Sequence, residues 1–289
     1  MQLLSLLLSF ILAIMPGMPI LAPVKDAVHE YNVSQQAREM ITEEQLAQVA
    51  LAMEGLAENG FLNFSPLTLL EENEQALMVA YSYACLYSVN DGLSVGEVVR
   101  IQFPIAAGVQ VVGRGIYTVL LDEYWKHDAN VHYLWAFKTA RRIGAEASRI
   151  HLINYEIAVF FVRPVIRFAD ERYKEFLQQG QGEWEARWNA WVEGGAYGLN
   201  RREIMLEEAG DFDVWNQYFS NSEVMDLWND RMGQLAAANA GLLENGFMLF
   251  LDDWDSGRLV MNETDEEASM ERRRIIFEDK SMWDPTVKP

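Results

Sequence analysis

The sequence predicts a mainly α fold: a multi-helix bundle with a minor β element and an apolar N-terminal segment. Three observations carry this reading. Apolar residues recur at helical spacing along much of the chain. Capping patterns precede several of these runs. Glycine or proline stands where the runs stop.

The chain opens with residues 1–24, which carry no charged side chain. Leu4, Leu8, Phe10 and Ile11 belong to an apolar run broken only by Gln2, Ser5 and Ser9 as far as Met15. Leaving such a run in water costs roughly 25 cal/mol per Å² of apolar surface. A bilayer, a partner or cleavage must therefore remove it. A signal peptide fits the length, but no Lys or Arg precedes the apolar run and Pro23 follows Ala22. A bilayer-spanning helix needs about 20 apolar residues. Pro16, Pro19 and Pro23 interrupt one here. A shorter helix over 2–15, then an extended segment, would dip into a membrane or pack in an oligomer. A membrane or assembly segment is the leading reading, with cleavage as its alternative.

Residues 26–59 read as helical. Thr42-Glu43-Glu44-Gln45 is a capping-box pattern, and Leu46, Val49, Ala50, Met53 and Leu56 follow at helical spacing. Asn59-Gly60 predicts the stop. The phrase from Gly55 to Phe64 returns from Gly241 to Phe250 with seven of ten positions identical. The simplest expectation is that both copies end a helix in the same way. Residues 66–86 predict a buried helix. Residues 98–121 are β-branched and dotted with glycine, so a strand competes with a helix there.

Residues 129–162 form the longest helical candidate, with Gly144 as a break and Pro164 as a bend or end. Gly180-Gln181-Gly182 predicts a joint. Trp184, Trp188 and Trp191 then share one helix face. The glycine-rich stretch 194–198 reads as a loop. Residues 222–245 predict a helix ended by Gly246. Runs 247–251 and 258–261 predict a hairpin around Asp252-Asp253-Trp254-Asp255-Ser256-Gly257. Thr264 and Glu267 cap a charged helix to about Glu278, and 283–289 reads as a tail. Three regions result: the N-terminal segment 1–24, a helical domain 25–180 and an acidic helical region 181–289.

Half of the 289 residues are hydrophobic, enough for a sizeable core. The single Cys85 excludes an internal disulfide and reads as a small buried hydrophobe. The net charge of -20 argues against nucleic-acid binding, which depends on neutralising phosphates. That charge is uneven: net -9 over 1–100, +2 over 101–180 and -13 over 181–289.

The best metal candidates lie in the non-acidic middle. Glu123 and His127 are four apart, His132 follows, and His151 and Glu156 share the long helix. Carboxylate with imidazole suits iron, manganese or zinc. A di-iron bundle requires paired Glu-x-x-His motifs, and none occurs. No nucleophile elbow, phosphate-binding loop or dinucleotide fingerprint is present. The expectation is therefore no catalytic residue, no metal and no cofactor. Residues 252–257 lack the spacing and closing Glu of an EF-hand and read as a solvated turn. Arg272, Arg273 and Arg274 are expected to pair with acidic residues along their own helix. The tryptophan face is either core or a partner surface.

The opening Met1-Gln2-Leu3-Leu4-Ser5, the proline bend and the helix after it resemble the N-terminal stalk of type IV pilins. Ser5 stands where those proteins usually carry Glu, and no paired-Cys loop follows, so no family is assigned.

These features together predict a non-enzymatic assembly subunit, envelope-associated or part of a virion. Leu4, Leu8, Phe10, Ile11, Trp184, Trp188 and Trp191 are its expected membrane or subunit contacts. Its expected partners are further protein subunits, most simply its own copies, and a membrane. The expected location is membrane-associated, extracytoplasmic or within a virion. The alternatives are an exported metal-dependent enzyme and an exported Trp-rich binding protein.

Overall fold

The computed structural model describes residues 27–59, 74–106, 109, 124–241, 244–260 and 266–289. The apolar segment 1–24, with Leu4, Leu8, Phe10 and Ile11, lies outside these residues, as do most of 98–121 beyond Ala106 and the cap at Thr264. Eleven α-helices and no strand occur among the described residues. No helix among them is long and apolar enough to cross a membrane.

The first helices are α1 (Ala27–Glu39), α2 (Glu43–Glu58), α3 (Glu74–Asn90) and α4 (Val95–Arg100). Thr42 caps α2, its hydroxyl accepting from Gln45 N at 3.1 Å. A π-helical segment, Ile101–Ala106, follows α4 and contains Pro104, which has no N–H to give a regular ladder. Next come α5 (Tyr124–Arg142), α6 (Ala145–Gln178), α7 (Glu183–Glu208) and α8 (Phe212–Tyr218). Gly144 (φ +127°) separates α5 from α6, and Gly180 (φ +88°) follows the end of α6. Pro164 lies inside α6 without ending it. The chain closes with α9 (Asn221–Asn239), α10 (Gly246–Asp255), α11 (Glu266–Glu278) and a 3-10 turn at Lys280–Met282.

Two compact units are built from non-contiguous stretches. In the unit formed by 27–95 and 157–218, α7 packs against α1, α2 and α3. The glycine-rich stretch expected as a loop is the buried middle of α7. A Cβ at Gly198 would lie 2.2 Å from the Tyr87 hydroxyl, so the glycines serve close packing, not a turn. Cys85 is fully buried among apolar neighbours on α3.

In the unit formed by 96–156 and 219–289, α5 and α9 form the most extensive helix pair. A Cβ at Gly233 would lie 2.2 Å from the Tyr133 carbonyl oxygen, so only glycine allows this approach. The expected hairpin is absent. Residues 246–255 are α10, and Asn245 caps it by accepting from Phe247 N at 2.9 Å. Burial decides this outcome: Gly246 fits against Phe137, while Phe250 and Asp253 turn inward one face together. The expected solvated turn is thus partly core, with Tyr133 donating to Asp253 Oδ2 at 2.6 Å.

The expected tail is also corrected. Trp283 is only 1% exposed, and its indole N–H donates to Phe277 O at 3.2 Å. Arg149 donates to the carbonyls of Ser281, Asp284 and Pro285 at 3.2, 3.1 and 3.0 Å. Arg273 leaves its helix to donate to Phe219 O at 2.7 Å, and Arg272 lies over the Trp228 ring. Both arginines therefore act in tertiary packing as well as on their own helix surface.

Candidate metal centre

Helical spacing assembles the site from three helices of the unit formed by 96–156 and 219–289. Asp128 and His132 are four apart on α5 and share a face. Asp226 and Asp230 repeat that spacing on α9, and Glu156 comes from α6. Asp128, Asp226, His132, Asp230 and Glu156 are each less than 5% exposed. His132 lies at the centre. Its Nδ1 is 3.3 Å from Asp230 Oδ1 and 3.7 Å from Glu156 Oε1. Its Nε2 is 3.6 Å from Asp226 Oδ1.

These separations are longer than charge-assisted hydrogen bonds, which run to about 2.9 Å. The shortest of them matches the edge of a coordination shell, and the other two exceed it by a few tenths of an ångström. Ligands about 2.1 Å from a cation lie roughly 3.0–3.4 Å apart in octahedral or tetrahedral geometry. Two triads have ligand atoms within 4.8 Å of one another: Asp128, His132 and Asp226; and His132, Glu156 and Asp230. Among the described residues, His132 Nδ1, Glu156 Oε1, Asp226 Oδ1 and both Asp230 oxygens have no hydrogen-bond partner.

The electrostatics are lopsided. Burial raises Glu156 well above the usual carboxylate range, and the Asp230 charge adds to this. Burial likewise raises Asp226 and Asp230, with His132 opposing both. Burial pulls His132 down, but the Asp226 and Asp230 charges outweigh it and push its pKa up to about 10. One imidazole thus faces four buried carboxyl groups. Such a set is stabilised by protons or by a cation.

An aromatic wall stands beside the cluster. Trp135 packs edge-on to Tyr155 and to His151, with ring centroids 5.1 and 5.9 Å apart. On another side, a narrow water-sized cleft reaches Asp230, with Arg149, Gln234, Ser281 and Met282 in its lining.

Sequence reasoning singled out Glu123, His127, His132, His151 and Glu156. The structure brings His132 and Glu156 together. His151 belongs elsewhere: its Nε2 accepts from the Gln102 amide nitrogen at 2.8 Å. Glu123 lies outside the described residues, and the His127 backbone is in the first turn of α5. Asp128, Asp226 and Asp230 were missed. Their signal was the i,i+4 spacing of Asp128 with His132 and of Asp226 with Asp230, unremarkable in so acidic a chain. The tryptophan face divides: Trp184 is 69% exposed, Trp188 is half-buried and Trp191 is buried.

No known protein family, curated protein or solved structure matches this chain.

Proposed function

We propose that this protein binds a divalent cation within the unit formed by 96–156 and 219–289, where the cation cross-links α5, α6 and α9. The observation carrying this reading is the buried His132, Glu156, Asp226 and Asp230 set, in which each side chain carries at least one ligand atom without a hydrogen-bond partner and the three carboxylates lie 3.3 to 3.7 Å from the imidazole nitrogens. A bound cation would remove the excess negative charge and stabilise the folded state by mass action. The test is elemental analysis of protein purified without chelator, followed by calorimetric titration of chelator-stripped protein with MnCl2 and ZnCl2. Stoichiometric metal that is lost in His132→Ala supports the reading. Absence of metal and of any titration heat with both salts overturns it.

A second role is compatible and rests on a different feature. The uncharged segment 1–24 and the exposed Trp184 support a non-enzymatic assembly subunit that contacts a membrane or its own copies. Removal of residues 1–24 is expected to abolish flotation with lipid vesicles or self-association in sedimentation. Unchanged behaviour in both assays overturns that role.

A further inference from the structure

The cluster offers a cation two positions, one on each side of the His132 ring. We infer that a single cation sits on the Nδ1 side, bound by His132 Nδ1, Glu156 and Asp230, while Asp226 accepts the Nε2–H and orients the ring. This inference rests on the cation-binding reading above and goes beyond it by fixing the position, the number and the class of ion.

Three observations favour the Nδ1 side. First, the unsatisfied ligand atoms concentrate there: Nδ1 itself, Glu156 Oε1 and both Asp230 oxygens. Second, His132, Glu156 and Asp230 come from three separate helices. The Nε2 side takes Asp128 and Asp226 from only two, including the helix of His132 itself. An ion on the Nδ1 side therefore closes more chain and gains more from folding. Third, a water-sized cleft is lined in part by Asp230, whereas Asp128 and Asp226 do not line it.

Asp226 then has a defined task. A metal-bound imidazole holds its proton on the other nitrogen and donates it to a carboxylate. Asp226 Oδ1, 3.6 Å from Nε2 and without a hydrogen-bond partner, is placed to accept it after a small ring rotation. It acts through His132 and is a positioning residue. The donor set of one nitrogen and two carboxylates selects Mn2+, Fe2+ or Zn2+ over Mg2+ and Ca2+, which take all-oxygen shells.

The experiment uses the full chain, stripped with chelator and labelled with nitrogen-15 at histidine. ZnCl2 titration is followed by nuclear magnetic resonance and calorimetry, with circular dichroism melting to confirm folding of each variant. The expected result is one equivalent of Zn2+, a shift at His132 Nδ1 and a protonated Nε2. Glu156→Gln and Asp230→Asn should each lose at least 100-fold in affinity. Asp226→Asn should keep one equivalent with affinity lowered about 10- to 100-fold. A shift at Nε2, two equivalents, or Asp226→Asn losing all binding while Glu156→Gln binds normally would overturn the placement and leave cation binding intact. No binding by the wild-type chain overturns cation binding itself.

Discussion

Each unit holds a buried cluster of charges, and the two clusters are built in opposite ways. In the unit formed by 27–95 and 157–218, each buried guanidinium has its own carboxylate. Arg201 grips Glu30 through two 2.7 Å bonds, and Arg202 meets Asp91 with both side chains about 5% exposed. In the other unit, His132 faces three carboxylates at 3.3 to 3.7 Å. A paired charge is satisfied by the fold. A surplus of carboxylates is satisfied only by something added, either protons or a cation. Burial alone therefore does not mark a site; an unbalanced set of buried ligands does.

The largest expected effect breaks a paired charge. Arg202→Met takes the guanidinium away from the buried Asp91 carboxylate and should destabilise its unit by about 3–5 kcal/mol in urea unfolding. Equal stability of variant and wild type would remove the contrast between the units.

The surplus should respond to metal. Saturation with Zn2+ at about 100 times its dissociation constant should stabilise the wild type by about 2.7 kcal/mol. Glu156→Gln should show no such gain. In chelator it should be as stable as the wild type or more so, because one buried carboxyl is gone. A loss of stability in chelator would mean that Glu156 is satisfied without a cation.

A third test concerns the neutral histidine nearby. Burial lowers His151 to about 3, against 6.5 for an ordinary histidine. Below pH 6.5 the unfolded chain takes up a proton that the folded chain refuses, so His151 lowers stability as pH falls from 6.5 towards 3. Between pH 7 and 5 this amounts to about 2 kcal/mol. The difference between wild type and His151→Gln, which keeps an acceptor for Gln102, should show that dependence. A pH-independent difference would mean that His151 is already protonated when folded.

The smallest effect is at the surface. Trp184→Ala should change stability by less than about 0.5 kcal/mol. A larger loss in thermal unfolding would place Trp184 in packing and not at a free surface.

Much of the local structure was legible. Thr42 caps where its pattern says, Gly144 and Gly180 stop helices, and Cys85 is core. The repeated phrase shows the limit. Asn59 ends α2, whereas Asn245 in the second copy starts α10. Asparagine can serve either end, and the packing of Gly246 on Phe137 chooses. At the site, His132 and Glu156 were legible as candidates, but Asp226 and Asp230 stand far along an acidic chain in which carboxylates carry little information.

By itself the sequence determined the helical class, most helix ends and the acidic charge, because periodicity and capping act within a few residues. Only the tertiary structure decided that residues 246–255 coil, that the glycines of α7 pack against Tyr83 and Tyr87, and that four carboxyl groups from three helices meet around one imidazole. Those outcomes depend on contacts between distant stretches, where burial and close approach outweigh local preference.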